Sequence, residues 1–279
     1  MSAEAKTTKE YVARLRSREW RERSVLVFRG TGLNAWHYHS FLRNFSLSEL
    51  SEFAAIYGVS GGAAIVWFYV LAQCSLFDDA AGRNFDRIIR STMNAPGLWV
   101  RMLRIARRQL PYNEEDIGRF LSSLPAKEAR DLAFAASALP NFTVVAHDQR
   151  NDALLLLDAH THPEARVLDV LTQAGTPRAT HPESALQRGE AQVISDFDFA
   201  GGAVKRAFQR HLESHAANLR IYQVNMLRDG VENGTVFVRV CADRMPRWSQ
   251  ATDLVLLFLG LPNSHYRTTF EKSYSLAAD

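Results

Sequence analysis

The chain has 279 residues, 47% of them hydrophobic and 23% charged, with 15 glycines and 9 prolines. That composition excludes collagen-like, low-complexity and disordered classes and leaves enough apolar material for a layered core in one domain, residues 1–279. Lys and Arg number 33 against 30 Asp and Glu, a net charge of +3, too even a balance for nucleic acid as the main partner. Cys74 and Cys241 are too few for a disulfide scaffold or a thiolate zinc centre, so a reducing cytoplasm is the expected compartment.

Residues 1–22 are charged and helical in pattern, with Tyr11, Leu15 and Trp20 as apolar points, unlike the apolar core of a secretory signal. They are expected to pack as a helix on the domain. Ser24 to Phe28 reads as a fully buried strand that stops at Arg29-Gly30-Thr31-Gly32. His39 to Leu50 follows with helical spacing, and Phe53 to Tyr57 reads as a second strand ending at Gly58-Val59-Ser60-Gly61-Gly62. Ala63 to Leu76 is nearly all apolar yet shorter than the ~20 residues that span a bilayer, which predicts a buried helix.

From Phe85 to Leu124 the pattern is helical and rich in arginine. Phe142 to Ala146 and Ala153 to Leu157 read as strands joined by a polar turn, and Ala165 to Ala174 as a helix. Gln192 to Asp198 reads as a strand meeting Gly201-Gly202, and Ala203 to Leu219 as a helix. Strands at Ile221 to Met226 and Thr235 to Cys241, then an apolar helix at Gln250 to Leu261, complete the chain. Repeated strand, glycine turn and helix is the order of an α/β fold with a mostly parallel sheet.

Gly58-Val59-Ser60-Gly61-Gly62 satisfies G-x-S-x-G, in which small neighbours let a serine sit on a strained strand-to-helix turn with its hydroxyl exposed. The helix behind it aims its positive N-terminus at charge developing on a bound carbonyl oxygen. Gly30-Thr31-Gly32 can turn backbone N–H groups toward an anion; it lacks the third glycine of a dinucleotide fingerprint and the Gly-Lys-Ser/Thr of a P-loop. A serine nucleophile needs a base, and Asp198 beside Gly201-Gly202 is the candidate, with Asp196 its competitor on the same strand face.

In this order the three blocks resemble the patatin-like phospholipases, acyl hydrolases with a Ser-Asp dyad and a three-layer α/β/α fold. Phe28 to Ala35 is similar to the family's glycine-rich oxyanion loop, residues 58–62 to its serine elbow, Thr176-Pro177 to its small-residue and proline segment, and Asp198 with Gly201-Gly202 to its Asp-Gly-Gly block. The likeness covers roughly residues 24–205. Thr31 replaces a loop glycine, Asn34 replaces the loop's basic residue, and Phe199-Ala200 separates Asp198 from the glycines. The resemblance implies Ser60 as nucleophile, Asp198 as base, and an oxyanion hole from the N–H groups of Gly30, Thr31, Gly32 and Gly61, with no cofactor and no metal.

The implied substrate is a lipid or other acyl ester, or an acyl thioester on a carrier; a weakened relative that binds lipid or a protein partner is the alternative of another class. A Ser-His-Asp triad is a rival, since His147, His160, His162, His181, His211, His215 and His265 follow Ser60, but only one strand precedes the strand entering the elbow. His37 and His39 lie just past the glycine loop, and His160-Thr161-His162 has no third ligand at metal spacing. Arg101, Arg104, Arg107 and Arg108, set among Trp99, Met102 and Leu103, fit an amphipathic helix able to rest on an anionic membrane as a peripheral contact, or simply a solvated basic face.

Overall fold

The structure, a computed structural model, describes residues 10–30, 38–76, 127–176, 193–216, 218–225 and 228–240, with positions 99, 100, 102, 103, 115, 118, 121 and 122. β1 (Ser24–Phe28), rich in β-branched residues and buried at all five positions, is central in the sheet. It pairs in parallel with β2 (Ala55–Val59) on one side and β6 (Arg220–Asn225) on the other. β2 continues in parallel to β3 (Phe142–Asp148), and β6 to β8 (Thr235–Arg239). Antiparallel strands finish the sheet: β4 (Ala153–Leu157) beyond β3, β7 (Gly230–Glu232) beyond β8, and the short β5 (Ile194–Asp196) against the end of β3.

The period of two in the strands divides the core between the two faces of this sheet. Leu26, Phe28, Ile56, Val144 and Tyr222 point to one face, where α1 (Gly61–Gln73) and α2 (Val167–Ala174) cover them. Val25, Val27, Tyr57, Val59 and Val145 point to the other, where Val204, Phe208 and Leu212 of α3 (Gly202–Ala216) pack on them. The result is a mixed three-layer α/β/α fold with a mostly parallel central sheet of eight strands.

Helix α1 is apolar all round, and Ile65 to Leu71 are all buried, as its composition predicts. Between β1 and β2 the structure differs from the single helix expected over 39–50. Two short helices, Tyr38–Leu42 and Leu47–Ser51, are separated because Ser46 starts the second with a capping box closed by Glu49. The expected second strand also moves two residues onward, to 55–59, and Phe53 instead packs edge-on against Phe45.

The strand expected over 192–198 is only three residues long, for the chain turns into a 3-10 helix at Phe197–Phe199. β7 has no counterpart among the predicted strands, although its turn carries an Asn-Gly signal: Asn233 and Gly234 both adopt positive φ, 48° and 78°. At the N-terminus the helical pattern resolves into residues 10–14 and the helix Arg18–Glu22. The buried Arg21 ties this region down through Glu52 at 2.7 Å and the carbonyls of Leu15 and Arg16. Trp99, Val100, Met102 and Leu103 are helical and exposed, while the four arginines around them and the helix expected over 250–261 lie outside the described residues. No helix among the described residues is long and apolar enough to cross a membrane.

Candidate active site

Parallel strands β1 and β2 end side by side, so the residues that follow them, Gly30 and Ser60, lie next to each other at the C-terminal end of the sheet. Val59 is the last residue of β2 and Gly61 the first of α1, which leaves Ser60 alone to reverse the chain. It does so with φ 50° and ψ −128°, a strained conformation for a residue with a side chain. The neighbouring glycines make the turn possible by close approach. A Cβ on Gly58 would lie 2.4 Å from Cα of Ala63, and one on Gly62 would lie 2.5 Å from the carbonyl oxygen of Phe28. Elbow, helix and β1 are therefore in backbone contact.

Contrary to the exposed hydroxyl that G-x-S-x-G predicts, Ser60 is buried, only 9% exposed, and its hydroxyl makes no cap to its own helix. Instead Ser60 Oγ donates to Asp196 Oδ2 at 2.7 Å. The register of the sheet explains the meeting. β2 pairs with β3 as far as Val59 opposite Val145, and β5 takes over the same edge of β3 with Asp196 opposite Ala146. The residue after β2 and the last residue of β5 thus face the same position of β3. The Asp196 amide is held by the carbonyl of Thr176 at 2.9 Å, so the small-residue segment after α2 anchors the carboxylate.

Asp196 is 3% exposed, and its second oxygen, Oδ1, accepts the backbone N–H of Asp198 at 2.9 Å. Burial is the main cause that pushes its carboxyl up to about 6, and the nearby Asp198 carboxylate pushes the same way. The hydrogen bonds from Ser60 and from the Asp198 amide, with Lys205 behind them, oppose the rise. At neutral pH the carboxylate is ionised and a much better proton acceptor than a solvated one.

The carboxylate that meets the serine is therefore Asp196 and not Asp198. After β5 the chain enters the 3-10 turn, which rotates the side chain of Asp198 out of line with that of Asp196. Asp198 contributes its amide to Asp196, its carbonyl receives Lys205 Nζ at 2.7 Å, and its carboxylate lies over Gly30 with Arg29 at 3.9 Å. Two residues of one predicted strand could not be told apart by spacing, and only the early end of β5 separates them.

Gly30 and Gly61 border the serine on either side, Gly61 with a first-turn N–H that has no acceptor within the helix. Thr31, Gly32 and Asn34 lie outside the described residues, as do Pro177, His37, His181 and His265. The histidines whose side chains are described sit elsewhere. His211 Nε2 bonds Tyr57 Oη at 2.8 Å, and His147 bonds Asp152 and Ser195. His160 and His162 belong to a turn built on Asp158, whose Oδ1 accepts the amides of His160 and Thr161. His39 is buried edge-on against Tyr69. Among the described residues Asp196 is the side-chain partner of Ser60, and no group of three or more His, Cys, Asp or Glu is placed to hold a metal ion.

Comparison with known proteins finds no matching family model and no matching curated protein.

Proposed function

We propose that the protein is a serine acyl hydrolase of patatin type, working through a dyad of Ser60 and Asp196 on a lipid or other acyl ester. The observation that carries this reading is the 2.7 Å bond from a serine on a strained strand-to-helix turn to a buried carboxylate of raised pKa. Structural serines at helix starts commonly cap their own helix, whereas this hydroxyl is turned away from it and toward a base.

The chemistry follows from those positions. As Ser60 Oγ forms a bond to the acyl carbon, its proton passes to Asp196 Oδ2, and the carbonyl electron pair moves onto oxygen. That oxyanion is met by the N–H of Gly61 at the start of the 13-residue α1, with Gly30 on the other side of Ser60. Collapse breaks the bond to the leaving oxygen or sulfur, which takes the proton from Asp196, and leaves an acyl-serine. Water then repeats the sequence, giving its proton to Asp196 and releasing the carboxylic acid with Ser60 restored. One oxyanion donor of this kind is worth about 3 kcal/mol of barrier.

A fluorophosphonate probe is expected to label Ser60, and a simple aryl ester to be hydrolysed. Ser60→Ala is expected to abolish labelling and to lower turnover by a factor on the order of a thousand or more, with an unchanged circular dichroism spectrum. Undiminished turnover by the folded Ser60→Ala protein, or an unlabelled wild type, overturns the reading.

A further inference from the structure

The dyad uses one of two neighbouring aspartates and leaves the other beside the nucleophile. A Cβ built on Gly30 would lie 1.7 Å from Asp198 Oδ2 and 3.1 Å from Cβ of Ser60. The carboxylate of Asp198 thus lies against Gly30 and close to Ser60, beside the path by which an acyl carbonyl would approach Oγ under the dyad reading. Its backbone is fixed at both ends, by Asp196 Oδ1 and by Lys205 Nζ. Among the described residues the carboxylate itself accepts no hydrogen bond, and its one ionic neighbour is Arg29 at 3.9 Å, with both side chains about one-third exposed. A charge so placed is held in position by the main chain yet is only loosely neutralised.

The geometry points to Asp198 as a specificity-determining residue that places a fixed negative charge at the mouth of the acyl site. The inference rests on the dyad reading. Neutral acyl groups pass it, while acyl groups that carry their own carboxylate near the carbonyl are rejected by like-charge repulsion in a partly desolvated crevice. The same charge acts at the end of the cycle. Deacylation turns a neutral acyl group into a carboxylic acid that loses its proton to water and becomes a carboxylate beside Ser60, and repulsion by Asp198 speeds its departure. Arg29 offers the side chain of Asp198 an ionic partner on the solvent side, so that it can yield room to an entering neutral ester without losing its charge.

The test compares wild type with Asp198→Asn, and with Asp198→Ser as a second variant, since either keeps the backbone amide that Asp196 uses. Three quantities are read at mildly alkaline pH: kcat/KM for 4-nitrophenyl butyrate, kcat/KM for the hemisuccinate ester of 4-nitrophenol, and the inhibition constant of free butyrate. Wild type is expected to prefer the neutral ester by about tenfold or more, and the variants to lose most of that preference and to bind butyrate about tenfold more tightly. The deciding readout is the ratio of the two kcat/KM values together with the inhibition constant of butyrate, which a merely structural role, lowering both turnovers alike, would not move. If wild type and variants discriminate alike, or if Asp198→Asn abolishes neutral-ester turnover as loss of a base would, the gate is overturned while the dyad class of enzyme stands. If wild type neither hydrolyses the neutral ester nor is labelled at Ser60, the dyad reading and the gate fall together.

Discussion

At the scale of single residues the site depends on one carboxyl group kept out of water. With its carboxyl pushed up to about 6, Asp196 is still ionised at neutral pH but loses its charge in mildly acidic solution. A protonated carboxyl cannot take the serine proton, so kcat/KM is expected to fall about tenfold per pH unit below roughly pH 6, as a pH–rate profile of the free enzyme reads. The same shift has a consequence for folding. Below about pH 4 both folded and unfolded chains carry the proton; between there and about pH 6 only the folded chain keeps it; above that the folded chain has to bury a charge. The contribution of Asp196 to stability is therefore present at low pH and is lost as pH rises through about 6. Asp196→Asn is expected to abolish turnover while stabilising the fold by about 2–3 kcal/mol at pH 8 and by little at pH 4, seen as a higher Tm only at the higher pH. A lower Tm at pH 8 would show that the carboxylate is instead a net stabiliser.

At the scale of elements, the unit of strand β2, Ser60 and helix α1 is a piece of backbone engineering in which side chains would be in the way. Gly62 lies in the first turn of α1, and its bare Cα lets the helix approach the carbonyls of Phe28 and Arg29 at the end of β1. Both facing atoms belong to main chain, so neither can move aside cheaply. Gly62→Ala is expected to shift the helix start, to lower turnover at least tenfold, and to destabilise the fold by about 2 kcal/mol in urea titrations. This element was legible in advance because G-x-S-x-G is a local pattern with a local cause. The boundary of β2 was less so: Phe53 is the better strand residue than Ala55, yet it packs on Phe45 and pairing with β1 begins at Ala55. At 39–50 the capping box of Ser46 and Glu49 cut one helical pattern into two.

On the scale of the whole molecule, Ser60 and Asp196 come from segments 136 residues apart that the sheet brings together along β3. β1 and β2 are five residues each, central and almost wholly buried, whereas β5 is three residues long and holds to β3 at three positions. Elements with so few contacts open at lower free energy than the global transition. In a urea titration turnover is expected to decline at lower concentration than the far-UV circular dichroism signal, with amide hydrogen exchange at residues 194–196 speeding up along with the loss. Coincident transitions would mean that β5 opens only with the sheet.

The chain by itself determined the class of fold, the order of strands and glycine turns, the buried character of α1 and the serine on its elbow, because each rests on contacts between residues close in sequence or on a period set by the backbone. For the partner of Ser60 it pointed to Asp198 ahead of Asp196, and there it pointed to the wrong one. Which of the two meets the serine was decided only in three dimensions, by the length of β5 and by its register on β3, where one residue of extra strand would turn a different face toward Ser60. Local sequence fixes what a turn can be; it holds no information on which distant strand will end beside it.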